Sequence, residues 1–368
     1  MRVAVVSSFP PRLCGIATFS LHLNAALEAL NVHLEAVEIS ECGAPDEEGK
    51  VRRDVVSDYT REAERLNDLR PDVVLIQHEY GLFGGLYGSH LLAFVCGLTI
   101  PVVTVFHTVL PSPDDALRTV TARIASLSRM VVVMCHSAAR LLAEHYGVDD
   151  TRVAVVPHGY VDVGVQPRPR DMVTAEEGRG PILLSLGLLG PNKGIDLGIG
   201  AMPTVLQHFP YAKYFVVGAT HPGEIRNGVD GYRACLTSLA HKQGVERAVV
   251  FVGEYLSLEN HVAWIQHSDL ILLPHRDLRQ ASSGTLAFAV GSGRPVVCTP
   301  FAYAVELSNA GAGLVLCPRT SLDIALAIVR VLTDEQLHAR LMDQSLGIAH
   351  GMTWPSIAKL YLAAFARL

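Results

Sequence analysis

Leu270–Val297 reads LILLPHRDLRQASSGTLAFAVGSGRPVV. Four apolar residues close on Pro274, and a polar loop carrying Arg276 and Arg279 follows. Ser282-Ser283-Gly284 then opens an apolar run that Gly291-Ser292-Gly293 closes ahead of Pro295-Val296-Val297. The spacing predicts a strand over Leu270–Leu273, a helix over Gly284–Gly291 and a strand over Val296–Cys298. A strand, a crossover helix and a second strand make a parallel βαβ unit.

The alternation spreads outward from this unit. Downstream lie a strand at Leu314–Cys317 and a helix at Ser321–Leu332. Upstream lie strands at Ile182–Leu186, Tyr214–Val217 and Val249–Val252, and helices at Leu197–His208, Gly231–Gly244 and Glu259–His267. Residues 164–180, GVQPRPRDMVTAEEGRG, interrupt the pattern with Pro, Gly and charge and read as a linker. Before them a second series runs through strands at Val3–Val6, Leu34–Ile39, Val73–Gln77, Val102–Phe106, Met130–Met134 and Val153–Val156. Its helices are Thr18–Leu30, Ser57–Leu69, Ser89–Gly97, Asp114–Leu127 and Ser137–Tyr146. Most strands are apolar on both faces, as parallel strands covered by helices must be. The expected fold class is α/β: two Rossmann-like doubly wound parallel-sheet domains facing a cleft, 1–165 and 181–349, joined by 166–180. Such sheets bind ligands at their strand ends, so a two-part substrate is expected.

Composition narrows the partners. The 368 residues carry a formal charge of −6, with 49% hydrophobic and 18% charged residues. No basic footprint is present, which excludes nucleic acid as the expected partner. Seven cysteines, an odd number without C-x-x-C, read as free thiols of a reducing compartment, the cytoplasm. The start MRVAVVSSFPPR reads as a strand entering a proline turn, not a signal peptide. Leu91–Phe106, LLAFVCGLTIPVVTVF, has no charge but falls short of the ~20 residues of a membrane span, and Gly97 and Pro101 punctuate it. A buried helix and strand are expected there.

Four stretches carry chemistry. In Phe9–Ile16, between the first strand and first helix, Gly15 would let backbone N–H groups approach an anion, although an ordinary βα turn has the same shape. His78, His107, His136 and His158 each fall just past a predicted strand, at one rim of a parallel sheet, which makes a polar binding face. Their spacing lacks a metal-ligand pattern. Gly187–Gly194 combines a Gly-rich turn, Lys193 and a helix start, either a phosphate cradle or a solvated lysine in a tight turn. His275–Thr285 offers two arginines and a helix start at Ser282–Gly284, either an anion site or a simple N-cap.

The whole chain resembles retaining GT-B glycosyltransferases of family 4 (group 1). Phe9–Ile16 is similar to the family's first Gly-containing loop, Val105–Thr108 to its strand end with histidine, and Val156-Pro157-His158-Gly159 to its domain-junction motif. Gly187–Gly194 resembles its G-R-L-x-x-x-K-G turn. Leu273–Val297 resembles its donor-phosphate loop and helix, ending in Gly293-Arg294-Pro295-Val296-Val297. Met352-Thr353-Trp354 is similar to the start of the last helix, and 350–368 is expected to cross back to the first domain. The chain departs from the pattern at Leu188, where the family carries Arg, and at Gln280 and Phe288, which replace a Glu pair. The second Glu contacts the donor ribose, and a Phe ring accepts no such hydrogen bond.

The resemblance implies transfer of a hexose from a nucleotide diphosphate sugar to a saccharide or small-molecule acceptor, without metal or other cofactor. It implies catalytic roles for His107, Lys193 and Arg279. Donor and phosphate contacts fall to Gly15, Gly190, Asn192, Ser282, Ser283, Gly284 and Thr285. The sugar and acceptor side falls to His78, Glu79, His136 and His158. A homodimer contact and a peripheral membrane contact stay open. A phosphorylase using inorganic phosphate and a degenerate sugar-binding protein are the alternatives.

Overall fold

Parallel strands that are apolar on both faces need helices on both, and this chain builds two such layered units. The computed structural model describes residues 1–12, 14–41, 47–172, 180–226, 228–253 and 256–368. One unit is Met1–Gly159 with Trp354–Leu368; the other is Tyr160–Thr353.

The first unit contains β1 (Arg2–Ser7), α1 (Gly15–Glu28), β2 (His33–Ser40), β3 (Lys50–Arg52), α2 (Val56–Leu69) and β4 (Val73–His78). It continues with α3 (Leu91–Gly97), β5 (Val102–Phe106), α4 (Asp115–Leu127), β6 (Met130–Val133), α5 (His136–Tyr146) and β7 (Val153–Val155). Its strands form a seven-stranded sheet in the order β3-β2-β1-β4-β5-β6-β7. Every pairing is parallel. Val3–Val6 and Val73–Ile76 are buried at its centre.

The second unit contains β8 (Ile182–Leu186), α6 (Ile195–His208), β9 (Lys213–Val217), a two-stranded hairpin β10 (Ile225–Arg226) and β11 (Val229–Asp230), and α7 (Gly231–Lys242). β12 (Val249–Val252), α8 (Leu258–Gln266), β13 (Leu270–Leu273), α9 (Gly284–Gly291) and β14 (Val296–Cys298) follow. α10 (Ala302–Asn309), β15 (Leu314–Leu316), α11 (Ser321–Thr333) and α12 (Glu335–Ala349) complete it. The sheet order is β12-β9-β8-β13-β14-β15, again all parallel. The quoted stretch is therefore β13–α9–β14, two parallel neighbours joined by a crossover helix.

The last helix, α13 (Trp354–Phe365), packs on α1 of the first unit. Gly159 makes this return possible, since a Cβ there would lie 2.4 Å from the Trp354 ring. The division falls at Gly159 and Trp354, inside the expected boundaries at 165 and 350. Tyr160 N–H donates to Met352 O at 2.9 Å, and the Tyr160 ring lies against Gly291, which ties it to the second unit. The expected linker is likewise structured at its start: Gln166 N–H donates to Gln266 Oε1 at 2.8 Å, and Met172 is buried. Residues 173–179 of that linker lie outside the described residues.

Among the described residues six cysteines are free; Cys42 lies outside them. No described helix is long and apolar enough to cross a membrane. Leu91–Phe106 is α3 followed by β5, as its punctuation predicts.

One buried charge stabilises the first unit. Asp58, at the start of α2, accepts from Arg52 N (3.1 Å), Nε (2.7 Å) and Nη2 (2.9 Å) and from Arg61 Nη1 (3.0 Å). The Arg52 hydrogen bond holds the carboxyl far below the carboxylate range. A depressed native pKa contributes stability that is present above the unfolded value of about 3.9 and is lost as pH falls below it. Asp58→Asn is expected to lower stability by about 3 kcal/mol at pH 7 and to flatten the loss between pH 5 and 3, read from thermal melts.

Candidate active site

In the second unit two loops close on one another beyond the strand ends. After β8 the backbone stays extended beside the segment following β9: Gly187 N–H donates to Val217 O (3.0 Å), Leu189 N–H to Ala219 O (2.9 Å) and His221 N–H to Leu189 O (2.8 Å). A single turn over Pro191–Lys193 follows, and Gly194 adopts φ +64°. Glycine is required there, because a Cβ would fall 1.9 Å from Pro274 O. Arg276 N–H donates to Asn192 O at 2.8 Å. With 192 bonded to 276 and 194 against 274, Lys193 stands opposite His275.

The charges of this region are settled unevenly. Arg276 is paired with Asp196. Arg279, whose side chain is 56% exposed, grips Asp277 with both arms, Nε to Oδ1 at 2.7 Å and Nη2 to Oδ2 at 3.1 Å. Lys193 makes no ion pair or hydrogen bond through its ammonium among the described residues, and burial pulls its pKa below the usual value. His275, 1% exposed, stacks on Phe301 at 4.6 Å, and its Nδ1 has no partner among the described residues. Burial, then the Lys193 charge, holds this imidazole well below its ordinary pKa. Of the expected cations, Lys193 is therefore the one left for a ligand. Arg279 is already neutralised by a carboxylate two residues away, which the sequence reading overlooked.

At the start of α9, Ser283 Oγ accepts from Leu286 N–H at 3.2 Å and caps the helix. Thr285 Oγ1 donates to Leu186 O at 3.3 Å, tying the helix to β8. These hydroxyls hold the loop, while Gly284 leaves the first turn free of a side chain. Gln280 Nε2 donates to Ser282 O at 2.8 Å, so Gln280 braces the same loop. Phe288, 6% exposed, meets His261 at 5.2 Å and Tyr160 at 6.4 Å, an aromatic contact where the resemblance places a ribose-binding Glu. Gly190 is extended and Asn192 is exposed, its backbone carbonyl being the group that meets the loop before α9.

In the first unit Gln77 and His78 end β4 and His107 follows β5. His107, 8% exposed, donates from Nε2 to Gln77 Oε1 at 2.8 Å. Phe19 of α1 stands edge-on to His107 (4.7 Å), His158 (5.2 Å) and Trp354 (4.9 Å). His78 is fully buried among Phe83, Tyr80 and Phe106, and neither ring nitrogen has a partner among the described residues. Desolvation lowers the pKa of His78 and His107 to about 3 and that of His158 to about 4. All three imidazoles are neutral at pH 7. Glu79 accepts from Thr108 Oγ1 (2.6 Å) and Tyr80 N–H (2.9 Å), with its pKa raised by burial.

The structure thus gathers His78, His107 and His158 but not His136. His136 is exposed at the first turn of α5, in an open groove with Arg140, Leu360 and Arg367 beside β7. Gly15 opens α1 with open space where a Cβ would go, and Cys14 Sγ caps the helix by accepting from Ala17 N–H at 3.3 Å. Gln77 and Phe19 were not anticipated as neighbours of His107, nor Trp354 as a neighbour of His158. Glutamine inside an apolar strand, IQHEY, is the one sequence signal that could have marked Gln77.

Two parallel-sheet α/β units, of seven and six strands, define the two-domain Rossmann-like GT-B fold. Residues 180–334 match the family described as "Glycosyl transferases group 1", and residues 15–162 match "Glycosyltransferase Family 4". The chain belongs to this glycosyltransferase family. It is 27% identical over 241 residues to mannosylfructose-phosphate synthase of Agrobacterium fabrum, covering 64% of this chain and 52% of that protein. It is 27% identical over 250 residues to D-inositol 3-phosphate glycosyltransferase of Nocardia farcinica, covering 66% and 53%. The chain spans about half the length of these curated relatives. Sucrose-phosphate synthase from Thermosynechococcus elongatus shares the fold with a TM-score of 0.80 at 16% identity over all of both chains. So does Anabaena Alr3699/HepE in complex with UDP and glucose, at 0.73 and 16% over all of both chains.

Proposed function

We propose that this protein transfers a hexose from a nucleotide diphosphate sugar to a saccharide or small-molecule acceptor with retention of configuration. The observation that carries the reading is Lys193: a desolvated cation without a counter-ion among the described residues, set on a glycine turn that is zipped to the loop before α9. An anionic group satisfies it, and the α9 N-terminus adds backbone N–H groups and a favourable dipole. The fold neighbour solved with UDP and glucose supports a nucleotide sugar as the anion's source.

In this scheme the bond from the anomeric carbon to the diphosphate oxygen breaks, and its electron pair stays on that oxygen. Lys193 and the α9 first turn stabilise the charge that develops there. The acceptor hydroxyl attacks on the same face, and its proton passes to the departing phosphate oxygen. Neutral His107 orients the transferred sugar without taking a charge. No metal enters the scheme.

Nucleotide release is the test. Incubation with UDP-, GDP- and ADP-sugars and a panel of acceptors is expected to release nucleotide and form a glycoside; no binding and no release with any donor overturns the reading. His107→Ala is expected to lower turnover at least about tenfold, the ~1.4 kcal/mol of one modest contact. One observation favours a second reading. The Phe288 ring itself offers no acceptor to a ribose where the resemblance places a carboxylate, which suits a site for inorganic phosphate alone. Phosphate-dependent release of a sugar 1-phosphate from an oligosaccharide would establish that phosphorylase instead.

A further inference from the structure

We propose that the groove beside β7 binds an extended segment of a partner protein, apolar in its middle and acidic at its ends, which adds a strand to the seven-stranded sheet. This site is independent of the reaction proposed above. β7 ends the sheet order, with β6 on one side and no strand on the other. Val156 N–H donates to Val133 O at 2.9 Å. Bonding direction alternates along a strand, so Ala154 also turns its backbone to β6 while Val155 turns away. Val153 N–H is spent on Asp150 O, closing the turn before the strand. The Val155 N–H and C=O and the Val153 C=O remain, and no described residue outside the sheet bonds to them. The other edge of the same sheet is protected: β3 reads Lys50-Val51-Arg52, and charge on an edge strand discourages a further strand. Half-buried β7 reads Val153-Ala154-Val155, with neither a charge nor a proline.

The open edge lies in a groove of about 660 Å³ walled by α5 and α13. Ala139 on one wall and Ala363 on the other leave room for incoming side chains, and Leu360, 43% exposed, offers them an apolar surface. A single extended chain fits between these helices. The β7 of a second copy does not, because its own α5 and α13 would meet them first. Charge then selects the ends of the occupant. Arg367 donates to Thr151 O at 3.1 Å, at the start of β7. Arg140 lies one turn into α5, which begins beyond the end of β6 and so stands toward the end of β7. Neither arginine forms an ion pair among the described residues, and the one acidic residue lining the groove is Asp150. Unpaired strand backbone between two cations is the recognition surface of an acid-flanked β-strand.

The probe is a fluorophore-labelled peptide, acetyl-Glu-Val-Val-Val-Glu amide, titrated with the full chain and followed by anisotropy. It is expected to bind with a Kd of about 100 μM or tighter. The analogue with Lys at both ends is expected to bind at least about tenfold more weakly, because like charges then meet. N-methylation of the middle Val, which removes a backbone donor, is expected to cost about tenfold as well. Val155→Pro removes the outward N–H and leaves the bonds to β6, a change that an edge strand tolerates. It is expected to abolish binding with unchanged melting. Should Val155→Pro not fold, Arg140→Glu, a change at an exposed side chain, is expected to weaken binding at least about tenfold. No binding of the acidic peptide up to about 1 mM overturns the proposal, as does equal binding by both variants. Sedimentation showing a dimer that Val155→Pro dissociates would give the edge to a second copy. Binding to phosphatidylglycerol vesicles that Arg140→Glu abolishes and Val155→Pro spares would give the groove to lipid. Either result overturns the peptide.

Discussion

Lys193→Ala is expected to lower turnover with the best nucleotide sugar by about 100-fold to 1,000-fold, the loss of one preorganised charge contact to a developing anion. The reason lies in the uneven pairing of the loop cations. Arg276 is held by Asp196 and Arg279 by Asp277, whereas the Lys193 ammonium has no counter-charge among the described residues. A desolvated cation without a partner costs stability until a ligand arrives. The same variant is therefore expected to melt at or slightly above the wild-type temperature, so lost activity cannot be ascribed to unfolding. Arg279→Ala serves as the contrast, with turnover expected within about threefold of wild type, because Asp277 already occupies both arms of its guanidinium. Steady-state nucleotide release measures both. A Lys193→Ala enzyme at wild-type rate would remove the residue from the phosphate site.

Gly194→Ala is expected to have the largest effect on stability. Its φ of +64° disfavours any side chain, and the added Cβ would sit 1.9 Å from Pro274 O, a backbone atom that cannot swing aside. The two loops must part, with the loss of the Arg276 N–H to Asn192 O bond, at an expected cost of about 3 kcal/mol or more. Thermal melting resolves it as a lower first transition, since two units need not unfold together. Activity is expected to fall with it, because Lys193 is placed only by the zipped turn. Unchanged melting would mean that the turn relaxes freely and that Gly194 has no structural duty.

The strands were readable because parallel strands are apolar on both faces, and each long run, such as Val73–Gln77 or Ile182–Leu186, is a central strand in the structure. β3 was not readable: KVR is three residues at a sheet edge, too short for a pattern and partly exposed. α12 escaped because it is mostly exposed, and α10 because it has no side-chain cap to mark its start, unlike the equally short α9 with Ser283. The site divides along the same line. Rim histidines follow from topology, which brings His78, His107 and His158 together. Whether a rim residue turns inward depends on packing that no spacing encodes, so His136 is exposed while His78 is sealed. Arg279 illustrates the remaining gap. The Asp277-x-Arg279 pairing is local, yet only coordinates show both arms of the guanidinium occupied.

The return of α13 to the first unit has a consequence for synthesis. Tyr160–Thr353 is continuous in the chain, so a ribosome delivers everything that unit needs before the other is finished. The first unit waits for Trp354–Leu368, the part of it made last. Until then Phe19 lacks one of its three ring neighbours, and the surroundings of His107 stay incomplete. The order of emergence thus leaves the imidazole cluster without its Trp354 contact until the whole of Tyr160–Thr353 has been made.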